Sequence, residues 1–218
     1  MRILVFPGMG ANARMHARLA SLDRRIVACD WPGIPDGPGF ADLAHACIAR
    51  HAIGPGDAVA GSSMGGMIAA EIHAQVGTAA AILIGSCLTP TAIPLRRLIG
   101  FGERLLHDDL LTAGPARLLS TSSAAAAFRA PPGFIRWALR ALDAWPGLVR
   151  ASLPRLHAIH GRFDAIIPLS RVRADRVIPG GHLIAVSHPR LVHAFIRQRL
   201  DAADPATPAD GTPLRAGR

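Results

Sequence analysis

Along most of this 218-residue chain, short apolar runs of strand length alternate with amphipathic stretches of helical period, and no other feature limits the fold as much. Residues 2–6, 26–29, 57–61, 79–85, 156–161 and 175–178 read as strands. Several are near-continuous apolar runs, the pattern of strands covered on both faces. Met15, Leu19 and Leu22 recur at i, i+4 and i+7 behind a capping Asn12, and helices are expected over residues 40–51, 64–76 and near 190–200. Such alternation predicts an α/β fold: a mainly parallel sheet of about six strands with helices on both faces. Residues 88–154 break the rhythm. They hold no clear strand, and Leu95, Leu98, Ile99, Leu105, Leu106 and later Ile135, Leu139 and Leu142 sit at helical spacing. The expected organisation is an α/β core over residues 1–87, a helical insertion over 88–154, the rest of the core over 155–200, and a polar, proline- and alanine-rich tail over 201–218 that is expected to be disordered.

Composition excludes several classes. Half the residues are hydrophobic and 18% are charged, so wholesale disorder is ruled out. The longest uncharged run, residues 72–95, is broken by glycines and prolines and makes no membrane span. The apolar start at residues 3–6 is too short for a signal peptide. Cys29, Cys47 and Cys87 are too few and too scattered for a disulfide framework or zinc site, so a reducing cytoplasmic setting and no metal are expected. The net charge is +9, and all 24 basic residues are arginine, spread along a chain with only 5% aromatics. A nucleic-acid binder gathers its cations into a stripe with stacking rings, so none is expected as a partner.

The chemistry concentrates at Gly61-Ser62-Ser63-Met64-Gly65-Gly66, between a strand and a helix. In that setting G-x-S-x-G makes a very tight turn that lifts the hydroxyl of Ser63 off the sheet, while Gly61 and Gly65 let the backbone pass. The amide of Met64 opens the helix, where unpaired donors collect. A serine needs a base, and a base needs an orienting carboxylate. His182 follows the last strand and Asp164 the one before it, both at carboxyl ends, where sites of open α/β sheets form.

The order Ser63, Asp164, His182, with Pro7-Gly8-Met9-Gly10, the elbow, His160-Gly161 through Asp164 to Pro168, and Gly181-His182, resembles the α/β-hydrolase family over roughly residues 2–200. The resemblance implies Ser63 as nucleophile, Asp164 as acid and His182 as base. It further implies Met9 and Met64 as oxyanion-hole amides, no cofactor, and the insertion as a lid. The chain departs from the family pattern at Pro7-Gly8, where His-Gly is usual, and in the loop after Asp30, which lacks a following G-x-G. Asp164 and His182 are close in sequence, which leaves little room for a crossover helix. The chain starts at what would be the third family strand.

The expected activity is hydrolysis of a carboxylic ester or thioester of a small to medium acyl substrate through an acyl-enzyme on Ser63. Acyl transferase, lactonase, C–C hydrolase and non-catalytic binding protein are the alternatives. The lid region, residues 88–155, carries nine arginines against four acidic residues; a solvated helix face is preferred over recognition of an anionic carrier. Ser62, Asp175, His188, His193 and Cys87 are weighed and set aside, and His160 is read as packed or hydrogen-bonded. The oligomeric state is left open.

Overall fold

Six parallel strands run in the order β2-β1-β3-β4-β5-β6. They are β1 (Ile3–Phe6), β2 (Ile26–Ala28), β3 (Ala58–Ser62), β4 (Ala80–Ile84), β5 (Leu156–Gly161) and β6 (Arg176–Ile178). The computed structural model describes residues 1–94, 127 and 133–201. Most of the expected insertion and nearly all of the expected tail lie outside the described residues.

Side chains alternate across the sheet and build two cores, as the period of a strand requires. On one face Leu4, Phe6, Val59, Leu83 and Ala158 pack with α2 (Phe40–His51), α3 (Met64–Val76) and α4 (Phe134–Ala144). On the other face Val5, Ala60, Ile82 and Ile159 pack with α1 (Ala17–Ala20) and α6 (Pro189–Asp201). α4 belongs to the expected insertion, yet its inner side is core. Phe134 stacks on Trp31, which stacks on Phe6, with ring centroids 5.6 and 5.9 Å apart. Just past α4, the indole of Trp145 donates to buried Glu71 at 2.6 Å. Aromatic pairs with satisfied polar ends hold such a segment firmly.

The helices at 40–51 and 64–76 fall where expected, and the strands agree within one or two residues. The first expected helix is instead a 3-10 turn, Ala13–His16, that continues into α1, capped by the Asn12 carboxamide on the Arg14 amide at 3.0 Å. Strand β3 starts one residue late because Asp57 is used in the turn before it, accepting from Gly54 N and the Arg2 guanidinium. At its other end β3 runs to Ser62, paired with Ile84 of β4, and a single residue, Ser63, separates it from α3. The β5–β6 connection carries only a 3-10 turn, Leu169–Arg171, in place of a helix. A short helix, α5 (Ile184–Ser187), follows His182 and has no signal in the sequence, since four residues show no period.

β1 leads to β2 on one side, and the chain then crosses to β3 on the other. The crevice outside the carboxyl ends of β1 and β3 is the topological switch point, where ligands of such sheets bind.

Candidate active site

Ser63 stands in that crevice. Its backbone is at φ 55° and ψ −122°, a region nearly reserved for glycine and costing about 1–3 kcal/mol. Strain of this kind persists only where the surroundings over-determine it. The Ser63 amide donates to Ile84 O at 3.1 Å, and its carbonyl accepts from Ser86 Oγ at 2.6 Å and Gly66 N at 3.0 Å. The flanking glycines allow the turn sterically: a Cβ on Gly61 would strike the Gly65 carbonyl, and one on Gly65 would strike the carbonyls of Phe6 and Pro7.

Ser63 Oγ lies 2.9 Å from His182 Nε2, and His182 Nδ1 lies 2.8 Å from Asp164 Oδ2. An ionised carboxylate only accepts, so Nδ1 carries the proton and Nε2 is free to accept from the serine hydroxyl. The loop holding His182 is pinned to the one holding Asp164 by Phe163 N donating to Gly180 O at 2.8 Å. The Asp164 side chain is fully buried. Burial alone would raise its pKa. Hydrogen bonds from His160 and His182, the charge of His182 and the Ile167 amide outweigh that and hold it well below the usual carboxylate range. Its Oδ1 accepts from the amides of Ile166 and Ile167 at 2.9 and 2.8 Å. His160 Nε2 sits 3.3 Å from Oδ2 and also donates to Ile167 O at 2.8 Å.

Above Ser63 lies a cavity of about 200 Å³. Met9, Met64 and His182 line it, with Met67, Leu139 and Leu142 supplying apolar wall, the last two from α4. The Met64 amide opens α3, where no preceding turn accepts its proton. Met9 follows β1, and its amide makes no hydrogen bond among the described residues. No arginine is among the described residues that line this cavity.

The residues set aside have other partners. Asp175 accepts from Ala158 N at 2.7 Å and pairs with Arg150 at 2.9 Å. His188 Nδ1 meets Ser187 Oγ, and His193 faces Asp23 at 3.5 Å rather than open solvent. Cys87 is buried, which pushes its thiol up to about 12 and leaves it inert. Ser62 turns away from His182 to His16 Nε2, at 2.9 Å. His16 is unremarkable in sequence but fully buried here, and burial pushes its pKa down to about 4. Nothing in a single sequence marks it, because its partner is forty-six positions away. Among the described residues no group of three or more His, Cys, Asp or Glu is placed to hold a metal.

Solved structures with the same architecture include a thermophilic esterase from Thermogutta terrifontis, 20% identical, with a TM-score of 0.72 over 93% of this chain and 90% of that one. RedJ, a thioesterase of prodiginine biosynthesis in Streptomyces coelicolor, is 20% identical with a TM-score of 0.66 over 92% and 90%. The N-acyl homoserine lactonase AidH is 14% identical with a TM-score of 0.69 over 94% and 90%. No curated protein matches the chain. At these identities the likeness shows fold alone; over residues 3–207, however, the sequence matches the model of the alpha/beta hydrolase family, and the chain belongs to that family.

Proposed function

We propose that this chain is a serine hydrolase that cleaves a carboxylic ester or thioester of a small to medium acyl group. One observation carries the reading: the unbroken hydrogen-bonded series Ser63 Oγ, His182 Nε2, His182 Nδ1, Asp164 Oδ2, at 2.9 and 2.8 Å. Ser63 Oγ attacks the carbonyl carbon while its proton passes to His182 Nε2. Asp164 keeps the imidazole in the accepting tautomer and stabilises its cation. The amides of Met9 and Met64 receive the oxyanion, each contributing about 3–4 kcal/mol to the transition state. The carbonyl–oxygen or carbonyl–sulfur bond then breaks, and the proton on His182 goes to the leaving alkoxide or thiolate. Water attacks the acyl-serine, gives its proton to His182, and the acid leaves as Ser63 regains it.

The apolar cavity of about 200 Å³, with no arginine among its described lining, suits an uncharged acyl chain of modest length. Esterase, thioesterase and lactonase chemistry, named for the structural neighbours, all cut a bond at an acyl carbonyl, in keeping with this reading. Three free, buried cysteines are in keeping with a cytoplasmic setting. Among the described residues no helix is long and apolar enough to cross a membrane.

The test is covalent labelling by an organophosphonate, run beside a panel of esters and thioesters of graded chain length. Wild type labels at Ser63 and turns over part of the panel. Ser63→Ala takes no label and loses about 10⁴–10⁶ in rate. A wild-type protein that neither labels nor hydrolyses any member is a binding protein on this fold.

A further inference from the structure

A second cavity, of about 300 Å³, lies beside the elbow, separate from the one over Ser63. It exists because the β5–β6 connection has no helix to cover the sheet. Leu83 of β4 and Ala158 of β5 are register partners that point to one face, and both line this cavity. Leu88, Leu148 and Val172 extend its apolar wall. Ser86 forms part of it too, so one residue touches the cavity and, through its hydroxyl, the backbone carbonyl of Ser63.

Three arginines, Arg150, Arg171 and Arg173, complete the lining, and Arg171 and Arg173 are exposed. Arg150 is neutralised by both oxygens of Asp175, at 2.9 and 3.0 Å, and Asp175 is further occupied by the amide of Ala158. Arg171 donates only to the backbone carbonyl of Thr91, at 3.1 Å, and Arg173 has no side-chain partner among the described residues. Two exposed arginines therefore border a mainly apolar cavity with no carboxylate among the described residues to meet them. A guanidinium's fork of parallel donors matches a carboxylate.

We propose that this second cavity binds a molecule with an apolar chain and a single carboxylate head, the chain over Leu83 and Ala158 and the head between Arg171 and Arg173. The proposal stands apart from the hydrolase reading. It needs neither Ser63 chemistry nor the cavity above it. It also separates the roles of charge and grease: the neutral acyl chain enters over Ser63, and the anion binds on the far side of Ser86.

The test is calorimetric titration of the full chain with hexanoate and with hexan-1-ol, on wild type, Arg173→Ala and Arg171→Ala/Arg173→Ala. Hexanoate is expected to bind wild type more tightly than hexan-1-ol. Arg173→Ala should weaken hexanoate about tenfold and the double variant more, with hexan-1-ol unaffected. Phosphonate labelling at Ser63 should be equal in all three proteins. Three results overturn the proposal: no binding of hexanoate, equal binding of the alcohol, or hexanoate binding that ignores both substitutions. If loss of the Arg171–Thr91 bond unfolds the double variant, Arg173→Ala alone decides. Labelling reads the hydrolase function independently, so either idea can fall without the other.

Discussion

The proposed nucleophile and its two partners are held by different physics. Ser63 sits between β3 and α3, its amide bonded to the end of β4; every residue of both strands is buried, and its position follows from backbone sterics: a one-residue turn, two glycines and a forced φ. Asp164 and His182 flank β6, a three-residue edge strand with two exposed positions and no crossover helix before it. Their position follows from hydrogen bonds, with two amides and two imidazoles converging on one carboxylate. Covalent geometry fixes the first group and polar satisfaction fixes the second. Substitutions that remove hydrogen bonds should therefore damage activity on the β6 side with little cost in folding, and substitutions that add atoms should damage folding on the β3 side.

Asp164→Asn carries the largest expected effect. The amide that replaces one oxygen favours the wrong imidazole tautomer, and rate should fall about 10⁴-fold with KM little changed. Folding should suffer less, because an Asn oxygen still accepts from the amides of Ile166 and Ile167. The pH dependence has a definite sign. The native pKa of Asp164 lies below its unfolded value, so the stability it confers is complete above the ordinary carboxylate range and is lost as pH falls below it. The gap in melting temperature between wild type and Asp164→Asn should narrow below about pH 4. Full activity in Asp164→Asn would remove the carboxylate from the mechanism.

Gly65→Ala tests the other half. The added Cβ meets the carbonyls of Phe6 and Pro7, which are backbone of the central strand and its loop and cannot swing aside. A cost of about 3 kcal/mol or more is expected, read by denaturant melting, with activity lost through the fold. A cost below about 1 kcal/mol would mean that the elbow is looser than its geometry implies.

How much of this was legible in sequence follows the same division. Steric requirements leave local marks: Gly61 and Gly65 announce the turn around Ser63, and α2 and α3 fall where their periodicity puts them. Asp164 and His182 are readable because each follows a strand end. The groups that finish the site leave none. His160 beside Asp164, Ser86 on the Ser63 carbonyl and His16 on Ser62 are joined by folding alone, and an isolated polar residue in an apolar stretch looks the same whether or not a partner awaits it. The second cavity was equally invisible. It depends on a helix that is missing from the β5–β6 connection, and a sequence marks the helix it has more clearly than the space left by one it lacks.

His16 sharpens the comparison because it is a buried hydrogen bond placed on the steric side. Its neutral form is enforced by burial, with a pKa of about 4 against an ordinary 6.5. Above about pH 7 both folded and unfolded chains hold it neutral, and it adds no pH dependence. Between 6.5 and 4 the unfolded chain takes up a proton that the folded chain refuses, so acid destabilises the fold by on the order of 3 kcal/mol through this residue. His16→Gln, which retains a partner for Ser62, should cost about 1 kcal/mol at neutral pH and flatten the acid limb of stability over that window. An unchanged slope would mean that water reaches His16.

The smallest expected effect inverts an ordinary rule. In most positions Ala is better tolerated than Gly, since Gly loses more backbone freedom on folding. At Ser63 the order should reverse, because φ 55° with ψ −122° penalises any Cβ. Both Ser63→Ala and Ser63→Gly lose the hydroxyl and its bond to His182, so that loss cancels between them and the strain alone remains. Ser63→Gly should be the more stable by about 1 kcal/mol, with both inactive. Denaturant melting of the pair measures the energy stored in the turn, and equal midpoints would mean that the backbone relaxes as soon as the hydroxyl is gone, placing the hold on Ser63 in its bond to His182 and dissolving the contrast between the two sides of the site.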